Sequence, residues 1–408
     1  MFILINLCFI RTSKSQHFDV DNLITFPNFG DASSSGLGGI FTIINKGAEA
    51  LNGNPAGLAR SHTAQIIATT RLTILGTNDF DEAYYNSKDI QNFSSGLKLY
   101  PKLLNIICSA PIKISNTDIP FIGAIGYRSI YDISYKYNSN YNKNNIKLEN
   151  TEEVQGYLNT LSLGIATKLK KKYYFGLSIN FPFLNKYNYQ NEERSISENL
   201  STLDKEKTTW DLEGGTFMQL GFIGEISKKI MIGLNFMTDH SYKLRNGKWI
   251  KNSDGNIYSG NFTKITKYSI PSIYTLGISY KINPNLIFAT EIQNAPWEDI
   301  EKNGISLTSV ESGKCYRFGV EYSKNYTFRS GFQIQRLPLL DSNLDPVNLK
   351  SFTFGVNIPA GNFNFDIGSI YKFTTFDKKM DNQNWEYKIR EWTIYTTIRY
   401  YFDYSLRF

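Results

Sequence analysis

The residues that could carry out bond chemistry are few and scattered. His17, His62 and His240 are the whole histidine complement, and none stands in a Ser/Asp constellation of the kind that activates a nucleophile. Gly36-Leu-Gly38-Gly39 offers loop glycines, but neither the spacing nor the lysine of a phosphate loop follows. Asp341, Asp345 and the Ser253-Asp254-Gly255 turn could each offer oxygen to calcium, yet they lack the dense acidic spacing of a built site and read as solvated loop residues. Beyond the first residues only Cys108 and Cys315 remain, too few for a disulfide framework, and they are expected to be unbonded. These patterns point away from an enzyme: no catalytic residue, metal or cofactor is expected.

Other charged residues follow a pattern. Glu225, Glu291, Arg317, Glu321, Arg329, Asp366, Lys372 and Arg399 alternate with apolar neighbours, so they share one side of successive extended segments. The other side reads Phe175, Leu177, Ile179, Phe181, then Tyr274, Leu276, Ile278, Tyr280, then Phe352, Phe354, Val356, Ile358. A sandwich would turn its polar side to water; a barrel in a membrane turns it to the lumen, because charge facing lipid is costly.

The connections favour the barrel. Hairpins recur from about residue 120, each with a glycine-bearing strand and a tight polar turn: Lys170-Lys171-Lys172, Ser227-Lys228-Lys229, Asn283-Pro284-Asn285, Lys324-Asn325 and Pro359-Ala360-Gly361. Between hairpins lie long polar segments, roughly 138–152, 186–210, 244–262, 298–311, 337–349 and 378–386, which read as loops. Short turns alternating with long connections are what outer-membrane barrels show. The expected fold is therefore all-β, a transmembrane antiparallel β-barrel of about 14 strands over residues 62–408. Pro101, Pro111, Pro182 and Pro271 interrupt the pattern and are candidate points for a kink in the wall. Aromatics of the long segments, Tyr187, Tyr189, Trp249, Tyr258 and Trp297, could form a capture surface or anchor at the membrane boundary.

Bulk properties agree. Tyr (27) and Phe (28) are heavily used and Pro (12) is sparse, which favours strands. Mean hydropathy is −0.32, as alternating strands require, and beyond the N-terminus no apolar run is long enough for a membrane helix. The net charge of +7 is spread over turns and loops, with no basic, aromatic-interleaved run for nucleic acid. Residues 1–15 read as a secretory signal: an apolar run, then small residues at a cleavable spacing. At the other end Phe402, Tyr404, Leu406 and Phe408 alternate with polar residues. This resembles the insertion signal by which the barrel-assembly machinery receives outer-membrane barrels.

Residues 16–61 fit no strand pattern. Leu37-Gly38-Gly39-Ile-Phe-Thr, followed by Asn54-Pro55-Ala56-Gly57-Leu58-Ala59, resembles the N-terminus of the FadL-like superfamily of outer-membrane barrels. That superfamily includes FadL-type transporters of hydrophobic compounds and the PorV/PorQ proteins of the type IX secretion system. Where typical members carry an acidic pair, this chain has Asn45-Lys46-Gly47. The resemblance implies an N-terminal hatch or plug over 16–61, bent at Asn54-Pro55-Ala56 where it meets the wall, with Gly38, Gly39 and Gly57 in the same motif. It further implies a protein of the Gram-negative outer membrane, in contact with its lipid, that passively takes up small hydrophobic compounds. The alternative within the resemblance is a PorV-like barrel that binds secretion-system proteins. An apolar pocket continuous with a wall gap would favour the first, and a closed lumen under a broad outer platform the second.

Overall fold

The computed structural model describes residues 27, 30–75, 80–82, 98–113, 119–132, 135–143, 146–183, 185–197, 200–253, 255–263, 265–306, 312–341, 343–380 and 383–405. The signal-peptide reading, residues 16–26 and the terminal Leu406 and Phe408 lie outside these. The first strands are β1 (Thr63–Leu75), β2 (Phe80–Glu82), β3 (Lys98–Ile112), β4 (Phe121–Asp132), β5 (Tyr135–Lys143), β6 (Ile146–Leu169), β7 (Tyr173–Pro182) and β8 (Asn185–Ser197). Next come β9 (Leu200–Gly214), β10 (Phe217–Glu225), β11 (Ile230–Met237), β12 (His240–Ser253), β13 (Asn256–Phe262), β14 (Thr266–Ile270), β15 (Ile273–Asn283) and β16 (Leu286–Ala295). The last are β17 (Glu301–Lys302), β18 (Ile305–Ser306), β19 (Gly313–Ser323), β20 (Thr327–Leu340), β21 (Pro346–Ala360), β22 (Phe363–Met380) and β23 (Gln383–Ser405).

Fourteen of these close an antiparallel barrel. The order is β1, β3, β4, β6, β7, β10, β11, β15, β16, β19, β20, β21, β22, β23, and β23 pairs back onto β1. Closure pairs the wall strands with one another, so their backbone groups find partners without water, except that Lys98–Leu104 of β3 has a ladder on its β1 side only. The alternation sorts the side chains. Phe175, Leu220, Leu234, Tyr274, Phe318 and Phe354 face out at 43–62% exposure, while Ser178, Asn180, Gln219, Thr275 and Thr353 face in at 0–3%.

Three sequence expectations need correction. The polar segments 138–152, 186–210 and 244–262 are largely strand, not loop. β5, the first half of β6, β8, β9, β12 and β13 form a second sheet that continues one side of the barrel beyond the wall. β6 alone has 24 residues where a membrane crossing needs about 10. Alternation is lost there because both faces are solvated, yet the ladder and cross-strand ion pairs such as Lys205–Glu192 at 3.0 Å hold the strands. Secondly, Pro101 and Pro111 do not break the wall: each sits in β3 opposite a partner, Leu72 and Ile122. Thirdly, Tyr187 and Trp297 are not capture residues, being 3% and 1% exposed in the core.

Candidate functional site

The interior is where the chain concentrates its specific contacts. Residues 31–60 run as one short helix, α1 (Ala32–Gly36), and two 3-10 turns, Gly47–Asn52 and Pro55–Arg60, almost wholly buried against the inner wall. Asp31 starts α1 because its carboxylate accepts the Ser34 N–H at 2.8 Å and the Ser33 and Ser34 hydroxyls at 2.9 Å. Gly38 and Gly39 stop it with φ of +71° and +80°, a region side chains rarely adopt. Pro55 opens the last turn at a position where a missing N–H costs nothing, and the Asn54 carboxamide oxygen caps the Ala56 N–H at 3.1 Å.

The glycine repeated in each hairpin is the seat for this segment. Gly176 pairs with Gly221, Gly319 with Gly331, and Gly355 with Gly368. A methyl group on Gly176 would run into the backbone of Pro55, on Gly331 into Gly38, and on Gly368 into Ala32. Wall backbone thus touches segment backbone directly, and only hydrogen fits between them.

Polar locks fix the segment around the ring. Thr397 Oγ1 accepts the Ala32 N–H at 3.0 Å; Thr353 Oγ1 accepts the Gly38 N–H at 2.7 Å and donates to the Gly36 carbonyl at 3.0 Å. Glu291, 1% exposed, accepts the Phe41 and Thr42 N–H groups at 3.1 and 2.8 Å and is paired to Arg317 at 2.7 Å. The Asn54 amide nitrogen reaches the Thr42 carbonyl at 2.8 Å and two wall carbonyls, Phe222 at 3.2 Å and Leu234 at 3.1 Å. Arg128 donates to Asn180 and Gln219, each at 3.0 Å, and to the Asn52 carbonyl. Arg399 is ion-paired with Glu49, and Arg329 bridges Asp366 and Glu321 at 2.8 Å each.

Beside the segment, part of the lumen is packed. Phe41, Ile130, Tyr131, Leu158, Tyr187, Phe217, Met237, Tyr242, Trp297 and Ile300 belong to one apolar cluster whose members are 0–6% exposed. Side chains buried to that degree leave no water-sized space beside them. A second cluster, around Leu51, Ala56, Leu58 and Ile107, packs the two 3-10 turns against the wall. A groove of about 880 Å³ lies on the lipid-facing wall, between Phe175, Leu220, Leu234, Tyr274 and Ile292.

Of the residues singled out by sequence, Gly38, Gly39, Asn54, Pro55, Ala56 and Gly57 come together in this segment and against this wall. Phe402, 44% exposed, ends the lipid-facing row of β23, and Tyr404 lies in the same strand. Thr353, Glu291, Arg128 and Gln219 were not foreseen as partners of the segment. The signal existed only as a polar residue mid-strand beside an apolar row. Cys108 is exposed on the wall and Cys315 buried inside, and they are unbonded. Among the described residues no group of histidine, cysteine and carboxylate is placed to hold a metal.

The comparisons agree with the architecture. The CymD monoaromatic hydrocarbon channel superposes with a TM-score of 0.57 at 14% identity, covering 93% of this chain and 100% of its own. The P. putida toluene transporter TodX gives 0.58 at 12% identity over 91% of this chain and 98% of that one. A Pseudomonas aeruginosa FadL homologue gives 0.56 at 11% identity over 91% and 98%. At such identities the likeness is one of fold, that of FadL-type barrels. No curated protein sequence matches the chain. The BamG family model matches residues 54–372, most of the chain from the Asn54-Pro55 bend through β21 into β22, and the protein belongs to the BamG family.

Proposed function

We propose that this is a closed barrel of the Gram-negative outer membrane that docks other proteins on its outer side, the role attached to the PorV-like branch of the sequence resemblance. One observation carries the reading: a segment locked to the wall around the ring and an apolar cluster 0–6% exposed occupy much of the lumen. A conduit for hydrocarbon needs an apolar space continuous with the outside. Here the apolar side chains of the lumen are spent on one another. The second sheet, β5, β6, β8, β9, β12 and β13, rises on the long-hairpin side, which is the extracellular side in such barrels, and offers a platform instead.

Uptake of small hydrophobic compounds is the second reading. The fold of hydrocarbon channels favours it, as does one feature of the wall. The β3–β4 ladder stops at Asn105 and Arg128, so that Lys98–Leu104 is paired with β1 alone. The test is flux. Purified barrel, shown folded by heat-modifiable migration, is placed in liposomes with toluene-sized hydrocarbons and with sugars of similar size. Liposomes no more permeable than protein-free ones support docking. Saturable passage of the hydrocarbon, lost when residues 31–60 are deleted, would sink it in favour of uptake.

A further inference from the structure

The short-turn rim of the barrel carries charge of one sign. The tight turns 170–172, 226–229, 284–285, 324–326 and 361–362 hold six lysines and no carboxylate. Five of the six, Lys170, Lys171, Lys172, Lys228 and Lys229, fall on two neighbouring hairpins, β6–β7 and β10–β11, joined through the β7–β10 ladder. All five are exposed. The opposite rim mixes signs, as in Asp204-Lys205-Glu206-Lys207.

Two of these lysines stand where lysine is a poor choice. Lys170 and Lys171 have φ of +48° and +59°, a region in which glycine, asparagine and aspartate are the usual residues. Hydrogen bonds fix both turns. The Lys172 carbonyl accepts the Glu225 N–H at 2.9 Å and the Lys229 carbonyl accepts the Lys281 N–H at 2.8 Å. Ser227 Oγ accepts the Lys229 and Ile230 N–H groups at 3.2 and 3.1 Å. The carboxylate beside these turns, Glu225, is engaged with the Tyr174 hydroxyl, which donates to it at 2.8 Å.

Along the wall from the same turns lies the lipid-facing groove, and its cause is visible from inside. On four adjacent strands the inner face carries Gly176, Gly221, Gly233 and Gly277, so the wall backbone closes directly on residues 42–56. Asn54 holds the Phe222 and Leu234 carbonyls from within at 3.2 and 3.1 Å. Outside, Phe175, Leu220, Leu234, Tyr274 and Ile292, 43–54% exposed, line the resulting dent. Lys172 precedes Phe175 by three residues and Lys229 precedes Leu234 by five, about 10 and 17 Å along the strands. The hydrocarbon of one leaflet is about 15 Å deep.

We infer that the groove and the two lysine turns bind one anionic phospholipid of the leaflet on the short-turn side, its phosphate on the lysines and an acyl chain in the dent. Charge complementarity selects this occupant. A lipid with no net charge gains the groove alone, because its own ammonium offsets what the lysines give its phosphate. The lysines and the groove are spaced as a headgroup and a chain are. The inference needs only that the barrel sits in a membrane, and stands whether it docks proteins or passes hydrocarbons.

The test is competition between two lipids. Full-length barrel, shown folded by heat-modifiable migration, is mixed in detergent with equal amounts of phosphatidylglycerol and phosphatidylethanolamine of identical chains, and retained lipid is read by native mass spectrometry. The expected result is phosphatidylglycerol retained about tenfold over its rival. One variant combines Lys170→Asn and Lys171→Asn with Lys172→Gln, Lys228→Gln and Lys229→Gln. It removes the charge and puts a better residue at both positive φ, so the barrel still folds, and its preference should fall to within about twofold of none. Lys324→Gln, on a more distant turn, should leave the preference intact. Leu234→Trp fills the dent and should lower retention of both lipids. Equal retention by the native barrel, or a preference that survives the five substitutions, would overturn the proposal. So would displacement of the lipid by an equal concentration of glycerophosphoglycerol, the headgroup without chains, or retention unchanged by Leu234→Trp, because the groove would then contribute nothing.

Discussion

Removing the Glu291 carboxylate tests whether the interior is a locked core. Glu291→Ala deletes the acceptor for two backbone N–H groups, on Phe41 and Thr42, and strands Arg317 at 5% exposure with Gln293 as its remaining partner at 2.7 Å. Breaking a buried ion pair from one side costs about 3–5 kcal/mol, so local release of the segment should become easier by about 4 kcal/mol. At roughly 1.4 kcal/mol per tenfold, that is about a thousandfold. Amide hydrogen exchange on the barrel in detergent micelles reads it directly, as loss of protection at Phe41 and Thr42 without loss in β15 or β16. Glu291→Ala with Arg317→Met separates the parts. The stranded charge is gone, and about 2 kcal/mol remains for two unsatisfied N–H groups. Protection in the single variant within threefold of the native value would refute the reasoning, because the segment would then be held by packing alone.

Other outcomes follow from the same geometry. Gly176→Ala, which drives a methyl group into the Pro55 backbone, should cost about 1–3 kcal/mol in urea titration, while Gly361→Asn at φ +61° with open space around it should leave the midpoint unchanged. Leu234→Arg on the lipid-facing wall should cost about 2–4 kcal/mol in refolding into lipid, the range for a cation near the bilayer midplane. His240, where β12 leaves the wall, hydrogen-bonds Tyr131 at 3.1 Å, and burial pulls its pKa down to about 4. The unfolded chain takes up that proton near pH 6.5 and the folded one only near pH 4, so stability falls with acid across that window, by about 3 kcal/mol in all. His240→Gln should remove this part of the slope between pH 6.5 and 4, and titration curves that stay parallel over that window would refute it.

Much of the fold was legible because a membrane forces strict alternation. Rows such as Phe352, Phe354, Val356 and Ile358 had only one face to give to lipid, and the turns between them announced themselves with Lys170-Lys171-Lys172 or Pro359-Ala360-Gly361. Reading failed where the membrane stops. In β8 and β9 both faces are wet, so Asn188 to Glu193 carry no period and looked like loop, although Glu192 and Lys205 stand opposite each other. Trp297 and Tyr187 looked like surface aromatics because nothing local says that a polar segment folds back over its own lumen. The repeated glycine was visible in every hairpin, but its purpose was not. Only the meeting of Gly176 with Pro55, more than a hundred residues away in sequence, explains it.

That meeting also bears on how the barrel can work. A plug that moves aside must first separate from its seat, and here separation breaks the Glu49–Arg399 pair, the Phe41 and Thr42 N–H bonds to the Glu291 carboxylate and the Asn54 carbonyl contacts. At about 3–5 kcal/mol for the pair and about 1.5–3 kcal/mol for each N–H bond to the buried carboxylate, these contacts hold the expelled state below roughly one molecule in ten thousand. Thermal expulsion is then too rare to serve as a gate for bulk uptake. Any small molecule that crosses must do so with the segment in place, past side chains already closed on one another or sideways above the end of the β3–β4 ladder. Flux that survives a disulfide tying the segment to the wall, such as Thr42→Cys with Gly277→Cys, where the two Cβ positions lie 3.4 Å apart, would leave the sideways route as the remaining path. Flux that the disulfide abolishes would show that the locks open more readily than their chemistry allows.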